Sequence, residues 1–158
     1  MAGGKIAYVP MHPPKEGAVK TLSAGEWSID FDELERAITP RTKMLVLNTP
    51  RMLPLSYSLP HRPVPSTNPA PDNPVGKVFT RDELQRIADL CLKHQIIILS
   101  DEVYDRLYYV PFTRIATLSP EVEQITLTVG SAGKNFYATG WRVGECFLCV
   151  SVCDGVGC

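Results

Sequence analysis

The chain has 158 residues, enough for one domain of ordinary size but too few for a large multidomain enzyme. It carries 16 basic and 17 acidic residues, a formal net charge of -1, which gives no electrostatic reason to expect DNA, RNA or an anionic membrane as a partner. No apolar run approaches the roughly 20 residues that cross a bilayer. The first residues lack a secretory signal, so we expect a cytoplasmic protein.

The first predicted elements alternate between strands and helices. A short strand is expected at residues 5–9, where Pro10 ends an apolar run. Residues 30–38 have a capping Asp30, an acidic first turn and apolar residues at helical spacing, which predict a helix. The apolar run at 43–48 is bounded by turn residues and is typical of a buried strand.

The same alternation continues in the second half of the chain. Thr80 and Glu83 form a capping box, and apolar residues line one face of a predicted helix that ends near His94. Residues 96–99 and 125–129 are two more buried strands. Strands separated by helices indicate an α/β fold with a mostly parallel sheet and flanking helices.

Two stretches differ from this body. Eight of the 14 prolines lie between Pro50 and Pro74, and residues 51–72 show no helical or strand period, which favours loop or disorder. Four of the five cysteines lie in the last thirteen residues. We therefore divide the chain into a body, 1–144, that contains a proline-rich insert at 51–72, and a Cys-rich tail, 145–158.

Polar side chains collect where the predicted strands end. Ligands of parallel sheets bind at the carboxyl ends of the strands, so we expect these residues to surround a site that binds an anion and stabilises charge. They are Asn48, Asp101, Tyr104, Ser131, Lys134 and Arg142.

A nucleotide-binding site is the competing interpretation of the same residues. An apolar strand that ends in Asp101 is similar to the Walker B element of an NTPase, and residues 130–134 superficially resemble a phosphate loop. A P-loop needs four residues between its glycines and a hydroxyl after its lysine, whereas two residues separate Gly130 from Gly133 and Asn135 follows Lys134. The spacing therefore disfavours an NTPase.

Three linked motifs resemble those of the fold-type I aminotransferases, which use pyridoxal 5'-phosphate (PLP). They are Asn-Pro-Val-Gly at 73–76, Ser-Asp-Glu-Val-Tyr at 100–104, and a longer element at 131–144 that contains Ser-Ala-Gly-Lys and Trp-Arg-Val-Gly. The residues of these motifs resemble most closely those of the branch that contains the kynurenine aminotransferases and the cysteine-S-conjugate β-lyases. The resemblance covers nearly all of residues 5–144 outside the insert and implies a partial PLP-binding large domain.

The resemblance also implies a role for each site residue. Lys134 resembles the lysine that binds the cofactor aldehyde and moves a proton at the substrate. Asp101 resembles the carboxylate that pairs with the pyridine nitrogen, and Tyr104 and Asn73 resemble the residues that hydrogen-bond the phenolic oxygen. Ser131 and Arg142 resemble phosphate ligands.

The family pattern further implies what surrounds this site. It implies two substrates, an aromatic or related amino acid and a 2-oxo acid. It also implies a homodimer and either a cytoplasmic or a mitochondrial location. The family's N-terminal phosphate turn and C-terminal small domain do not match any part of the sequence, so we expect this chain to be catalytically inactive by itself. A non-catalytic product that retains weak PLP or partner binding is the alternative.

The insert and the tail each have a second interpretation. The insert separates Asn48 from Asn73, which are nearly contiguous in the family pattern, and the codons available at 51–52, 71–72 and 144–146 are compatible with retained introns. Sequencing the transcript would test this. The four tail cysteines offer a thiolate metal site, but their spacing fits neither a usual zinc site nor a ferredoxin, so free thiols are expected and no metal.

Overall fold

The computed structural model describes residues 3–15, 24–49, 77–105 and 111–148. Within these ranges lie six strands, four helices and three 3-10 turns, Ala24–Glu26, Ile115–Thr117 and Thr139–Trp141. The strands are β1 (Met11–His12), β2 (Ser28–Ile29), β3 (Met44–Asn48), β4 (Ile97–Asp101), β5 (Thr126–Gly130) and β6 (Glu145–Leu148). The helices are α1 (Phe31–Ala37), α2 (Arg81–Lys93), α3 (Pro120–Gln124) and α4 (Ala132–Asn135).

A four-stranded sheet, ordered β3-β4-β5-β6, forms the centre of the fold. The first three strands are parallel, which confirms the predicted α/β class with a mostly parallel sheet. Their register aligns the carboxyl ends: Asn48 pairs with Asp101, and Asp101 pairs with Val129. The sheet thereby collects the ends of three strands at one edge.

Strand β6 was not predicted from the sequence. It pairs antiparallel with β5, and Cys146 lies opposite Val129. Three of its four residues, Cys146, Phe147 and Leu148, are apolar, but all four are exposed, and the cysteine content of this stretch had set it apart as a tail. The start of the Cys-rich tail is therefore part of the sheet.

Helix α2 covers one face of this sheet. Both halves of the predicted capping box are present, since the Thr80 hydroxyl accepts from the Glu83 amide and the Glu83 carboxylate accepts from the Thr80 amide. The face predicted to be apolar is buried at Leu84, Ile87, Ala88 and Cys91. These side chains and the inward-facing residues of the strands form a single core.

The first helix also begins where the sequence predicts. Asp30 is its N-cap, and one carboxylate oxygen accepts hydrogen bonds from the amides of Asp32 and Glu33 at 2.9 and 3.0 Å. Leu34 is the residue that this short helix buries in the core. The acidic first turn complements the positive end of the helix dipole.

The predicted strand at residues 5–9 is wrong. The structure has no regular element there, and β1 forms a few residues later, at Met11–His12, where it pairs antiparallel with β2. Ile6 and Tyr8 are 75% and 85% exposed. An apolar run becomes a strand only where another strand satisfies its backbone groups, and none lies beside 5–9 in the described part of the chain.

The opposite face of the central sheet is largely uncovered among the described residues. Met44, Val46 and Ile97 project from it and are 44%, 60% and 45% exposed. Their strand neighbours Leu45, Leu47 and Ile98 face α2 and are partly or fully buried. Alternation along each strand thus assigns one face to the core and leaves the other open.

Several predictions concern residues outside the described ranges. These are the proline-rich insert at 51–72, the candidate site residue Asn73, and the tail cysteines Cys149, Cys153 and Cys158. No helix within the described ranges is long and apolar enough to span a bilayer.

The two described cysteines should differ sharply in reactivity. Burial raises the pKa of the Cys91 thiol to about 11, whereas Cys146 is exposed on β6. We expect brief treatment of the folded protein with iodoacetamide at pH 8 to modify Cys146 and leave Cys91 unmodified until denaturant is added. Peptide mapping by mass spectrometry measures both sites, and equal labelling of the two thiols in the folded protein would contradict this packing.

Candidate active site

The candidate site lies at the carboxyl ends of β4 and β5. Asp101 is the last residue of β4, and Ser131 directly follows β5 and begins α4, which carries Lys134. The parallel register places these two strand ends side by side. The sequence analysis predicted this edge of the sheet as the location of the site.

Asp101 has one anchored and one open carboxylate oxygen. The side-chain amide of Asn48, at the end of β3, donates to Oδ2 at 2.7 Å. Oδ1 is buried and has no hydrogen-bond partner among the described residues. Because a buried carboxylate oxygen without a donor is costly, this atom is suited to receive a hydrogen from a bound ligand.

Lys134 and Tyr104 face each other. The Lys134 ammonium lies 5.6 Å from the centroid of the Tyr104 ring, within the range of a cation–π contact. No carboxylate forms a salt bridge with Lys134 in the part of the chain that the structure describes. The amine is therefore held near the Tyr104 ring without being neutralised by an acidic side chain.

A pocket of about 250 Å³ opens beside this lysine. Its walls bring together three of the predicted site residues and the loop that follows α4: Ser131, Gly133, Lys134, Thr139, Arg142, Val143 and Gly144. A hydroxyl, an amine and a guanidinium thus converge on one concave surface, a combination suited to a phosphate-like anion.

Two backbone features shape the pocket. Gly133 is buried, and a Cβ there would lie only 3.1 Å from the Thr139 Cα, so a larger residue would require the loop to move away from α4 by a few tenths of an ångström. Arg142 has φ 55° and ψ 38°, a left-handed conformation that is uncommon for a residue with a side chain. The Ser131 side chain makes no capping hydrogen bond to α4, so the helix does not occupy its hydroxyl.

Six of the seven predicted site residues therefore fall into two groups. In the first, Asn48 donates to Asp101; in the second, Lys134 faces the Tyr104 ring and lines the pocket with Ser131 and Arg142. The seventh, Asn73, lies outside the described residues.

A partly buried ion-pair network, which the sequence did not indicate, follows the end of β4. Arg114 donates to Glu102 Oε2 at 2.8 Å and to Asp105 Oδ2 at 2.6 Å. Burial raises the pKa of Glu102, while Arg114 and the Ser100 hydroxyl, which donates at 3.0 Å, act against that rise. Glu102 is thus a structural pairing residue, and nothing in the spacing of Arg114 from the motifs indicated that the two residues pair.

Comparison with known proteins places this arrangement in a family. The model of the family described as aminotransferase class I and II matches residues 69–157, more than half of the chain. The chain belongs to the class I and II aminotransferases. The match begins within the proline-rich stretch and extends into the Cys-rich tail.

Curated and solved relatives of this aminotransferase chain agree with that family. Over 145 residues it is 50% identical to Probable kynurenine–oxoglutarate transaminase BNA3 of Saccharomyces cerevisiae, covering 91% of this chain and 28% of the yeast protein. The crystal structure of Bna3p superposes with a TM-score of 0.77 at 49% identity, covering 93% of this chain and 30% of that one. A PLP-bound structure from Clostridium difficile superposes with a TM-score of 0.59 at 28% identity, covering 82% and 28% of the two chains.

The aminotransferase chain thus spans less than a third of the length of these relatives. The residues that match the family model, 69–157, contain the ends of β4 and β5 and the pocket between α4 and Arg142, which are elements of the candidate site.

Proposed function

We propose that this chain carries a PLP site, in which Lys134 holds the cofactor covalently, and that the activity it serves is transfer of an amino group from an aromatic amino acid of the kynurenine type to a 2-oxo acid. The observation that carries the proposal is the open, buried Oδ1 of Asp101 at the end of β4, which pairs with β5, the strand that leads into Ser131 and the lysine-containing pocket. Bound PLP supplies an electron sink that lets the bond to a substrate Cα hydrogen break.

The residues present fit that cofactor at its ring. The ionised carboxylate of Asp101, fixed by Asn48, would hold a proton on the pyridine nitrogen through its open oxygen. The hydroxyl of Tyr104, on the ring that Lys134 approaches, would donate to the phenolic oxygen. Asn73 is proposed for the same oxygen on the family pattern alone.

The residues present also fit the phosphate end of the cofactor. Ser131 and Arg142 line the pocket with Lys134, and a hydroxyl and a guanidinium fork together suit a dianionic phosphate. Lys134 Nζ is not committed to an acidic side chain in the described part of the chain, so it is available to hold the cofactor and to move the proton at the substrate Cα.

The substrate class rests on the relatives. The yeast relative bears the name of a kynurenine–oxoglutarate transaminase, and we extend that substrate class to the whole protein to which this chain corresponds. A homodimer and a cytoplasmic or mitochondrial location are proposed from the family pattern alone. That this chain alone does not transaminate stays a prediction, which an assay with kynurenine and 2-oxoglutarate tests separately.

Reductive trapping tests the cofactor site directly. The purified chain is incubated with PLP, reduced with borohydride, digested and mapped by mass spectrometry. We expect a phosphopyridoxyl group on Lys134 and none on Lys134→Arg, since a guanidinium does not condense with an aldehyde. Labelling spread evenly over exposed lysines such as Lys93, with none specific to Lys134, would contradict the proposal.

A further inference from the structure

The buried carboxylate of Glu102 anchors the end of β4. Glu102 follows Asp101 directly and is 1% exposed. Its two oxygens accept from the Ser100 hydroxyl at 3.0 Å and from Arg114 at 2.8 Å. The residues on both sides of Asp101 are therefore fixed by one hydrogen-bonded group.

The same guanidinium extends to the helix that carries Lys134. The second terminal nitrogen of Arg114 donates to Asp105 at 2.6 Å, and the other oxygen of Asp105 accepts from the side-chain amide of Asn135 at 3.3 Å. Asn135 is the neighbour of Lys134, and Asp105 is the neighbour of Tyr104. Arg114 thus bridges the two halves of the site, although it adjoins none of the proposed cofactor residues in sequence.

Helix α4 needs such support because it is only four residues long. Its backbone bonds run from the amides of Lys134 and Asn135 to the Ser131 carbonyl and from the Phe136 amide to the Ala132 carbonyl, and so short a helix is not stable by itself in water. Phe136 and Tyr137, which follow it, are 77% and 87% exposed and bring little packing. Tertiary contacts must therefore hold the turn that presents Lys134.

We propose that Arg114 is a positioning residue that sets the orientation of Lys134 relative to Asp101 through two carboxylates, Glu102 toward the strand and Asp105 toward the helix. This rests on the proposed PLP site. The planar guanidinium is suited to the task, because its fork engages two acceptors in a fixed geometry that an ammonium does not reproduce. Burial of Glu102 strengthens the strand half, while the Arg114 side chain itself is 42% exposed.

The test uses the full chain and keeps the buried charge balanced. Arg114→Met alone would leave Glu102 buried without its counter-ion, so the main variant is the pair Arg114→Met with Glu102→Gln. Arg114→Lys keeps the charge but not the fork. The matched control is Arg86→Met, which removes an arginine that stacks on Phe31 at 3.7 Å, on the outer side of α2.

Two measurements are made on each protein. Amide hydrogen exchange without PLP compares residues 131–138 with α2, and a PLP titration followed by borohydride mapping gives the dissociation constant and the yield at Lys134. In the paired variant we expect exchange at 131–138 about tenfold faster, α2 unchanged, and the PLP dissociation constant about tenfold higher. For Arg114→Lys we expect an exchange rate and a PLP dissociation constant between those of the paired variant and the unsubstituted chain. For Arg86→Met we expect both to equal those of the unsubstituted chain.

Each contrary result overturns the proposal. Exchange at 131–138 that stays unchanged means that Arg114 does not hold α4, and equal acceleration of α2 means that it stabilises the fold in general. Faster exchange at α4 with unaltered PLP affinity means that the orientation does not matter to the site. If the unsubstituted chain takes no PLP on Lys134, the proposed function fails, while the exchange measurement still decides whether Arg114 holds α4.

Discussion

Replacing Asp101 by asparagine should weaken PLP binding by about tenfold to a hundredfold. The substitution keeps an oxygen that can accept from the Asn48 amide, so the strand end stays intact. It removes the negative charge at the open oxygen, and hydrogen bonds between charged partners are worth about 1.5–3 kcal/mol, against about 1.4 kcal/mol for each tenfold in affinity. A spectroscopic titration of the chain with PLP measures the change.

The matched control for this substitution is Asp89→Asn. Asp89 is an exposed residue of α2 that accepts from Gln85 at 2.9 Å, away from the strand ends. We expect the PLP affinity and the urea unfolding midpoint of Asp89→Asn to equal those of the unsubstituted chain. Equal PLP affinity in Asp101→Asn and Asp89→Asn would show that Asp101 does not contact the cofactor.

The second large effect is expected in the core. Ile87→Ala should lower the free energy of unfolding by about 2–5 kcal/mol, since Ile87 is 1% exposed within the cluster that joins α2 to the sheet. Domains of this size are stable by only about 5–15 kcal/mol, so the variant should unfold at markedly lower denaturant or fail to accumulate. Urea unfolding followed by circular dichroism measures the loss.

The same substitution at an exposed position separates burial from side-chain type. Ile97 is 45% exposed on the uncovered face of β4, and Ile97→Ala should cost no more than about 1 kcal/mol. A loss at Ile97 as large as that at Ile87 would mean that something covers this face of the sheet in solution.

The parts of the fold that could be predicted from sequence are those with local physical causes. Asp30 and the Thr80–Glu83 pair mark helix starts because their side chains satisfy amides within the next three residues. Short apolar runs bounded by turn residues identified β3, β4 and β5, although one face of β3 and β4 is largely uncovered among the described residues. The location of the site followed from the shared direction of those strands.

The parts that could not be predicted depend on partners distant in sequence. Residues 5–9 have the composition of a strand but no strand beside them among the described residues, whereas β6 pairs with β5 although its cysteine content had set it apart as a tail. Arg114 carries no local signal, because its role depends on Glu102 and Asp105, which lie 12 and 9 residues away and meet it only in the folded chain.

The side-by-side pairing of β3 with β4 bears on how easily this protein accommodates extra sequence. The hydrogen bond between Asn48 and Asp101 joins residues 53 apart, and the 22 residues at 51–72 lie within that interval. Loop-closure entropy grows only with the logarithm of length, so those residues add about 0.5 kcal/mol to the cost of bringing the two strands together. The interval between β3 and β4 is thus a place where evolution or engineering can lengthen the chain at little thermodynamic penalty.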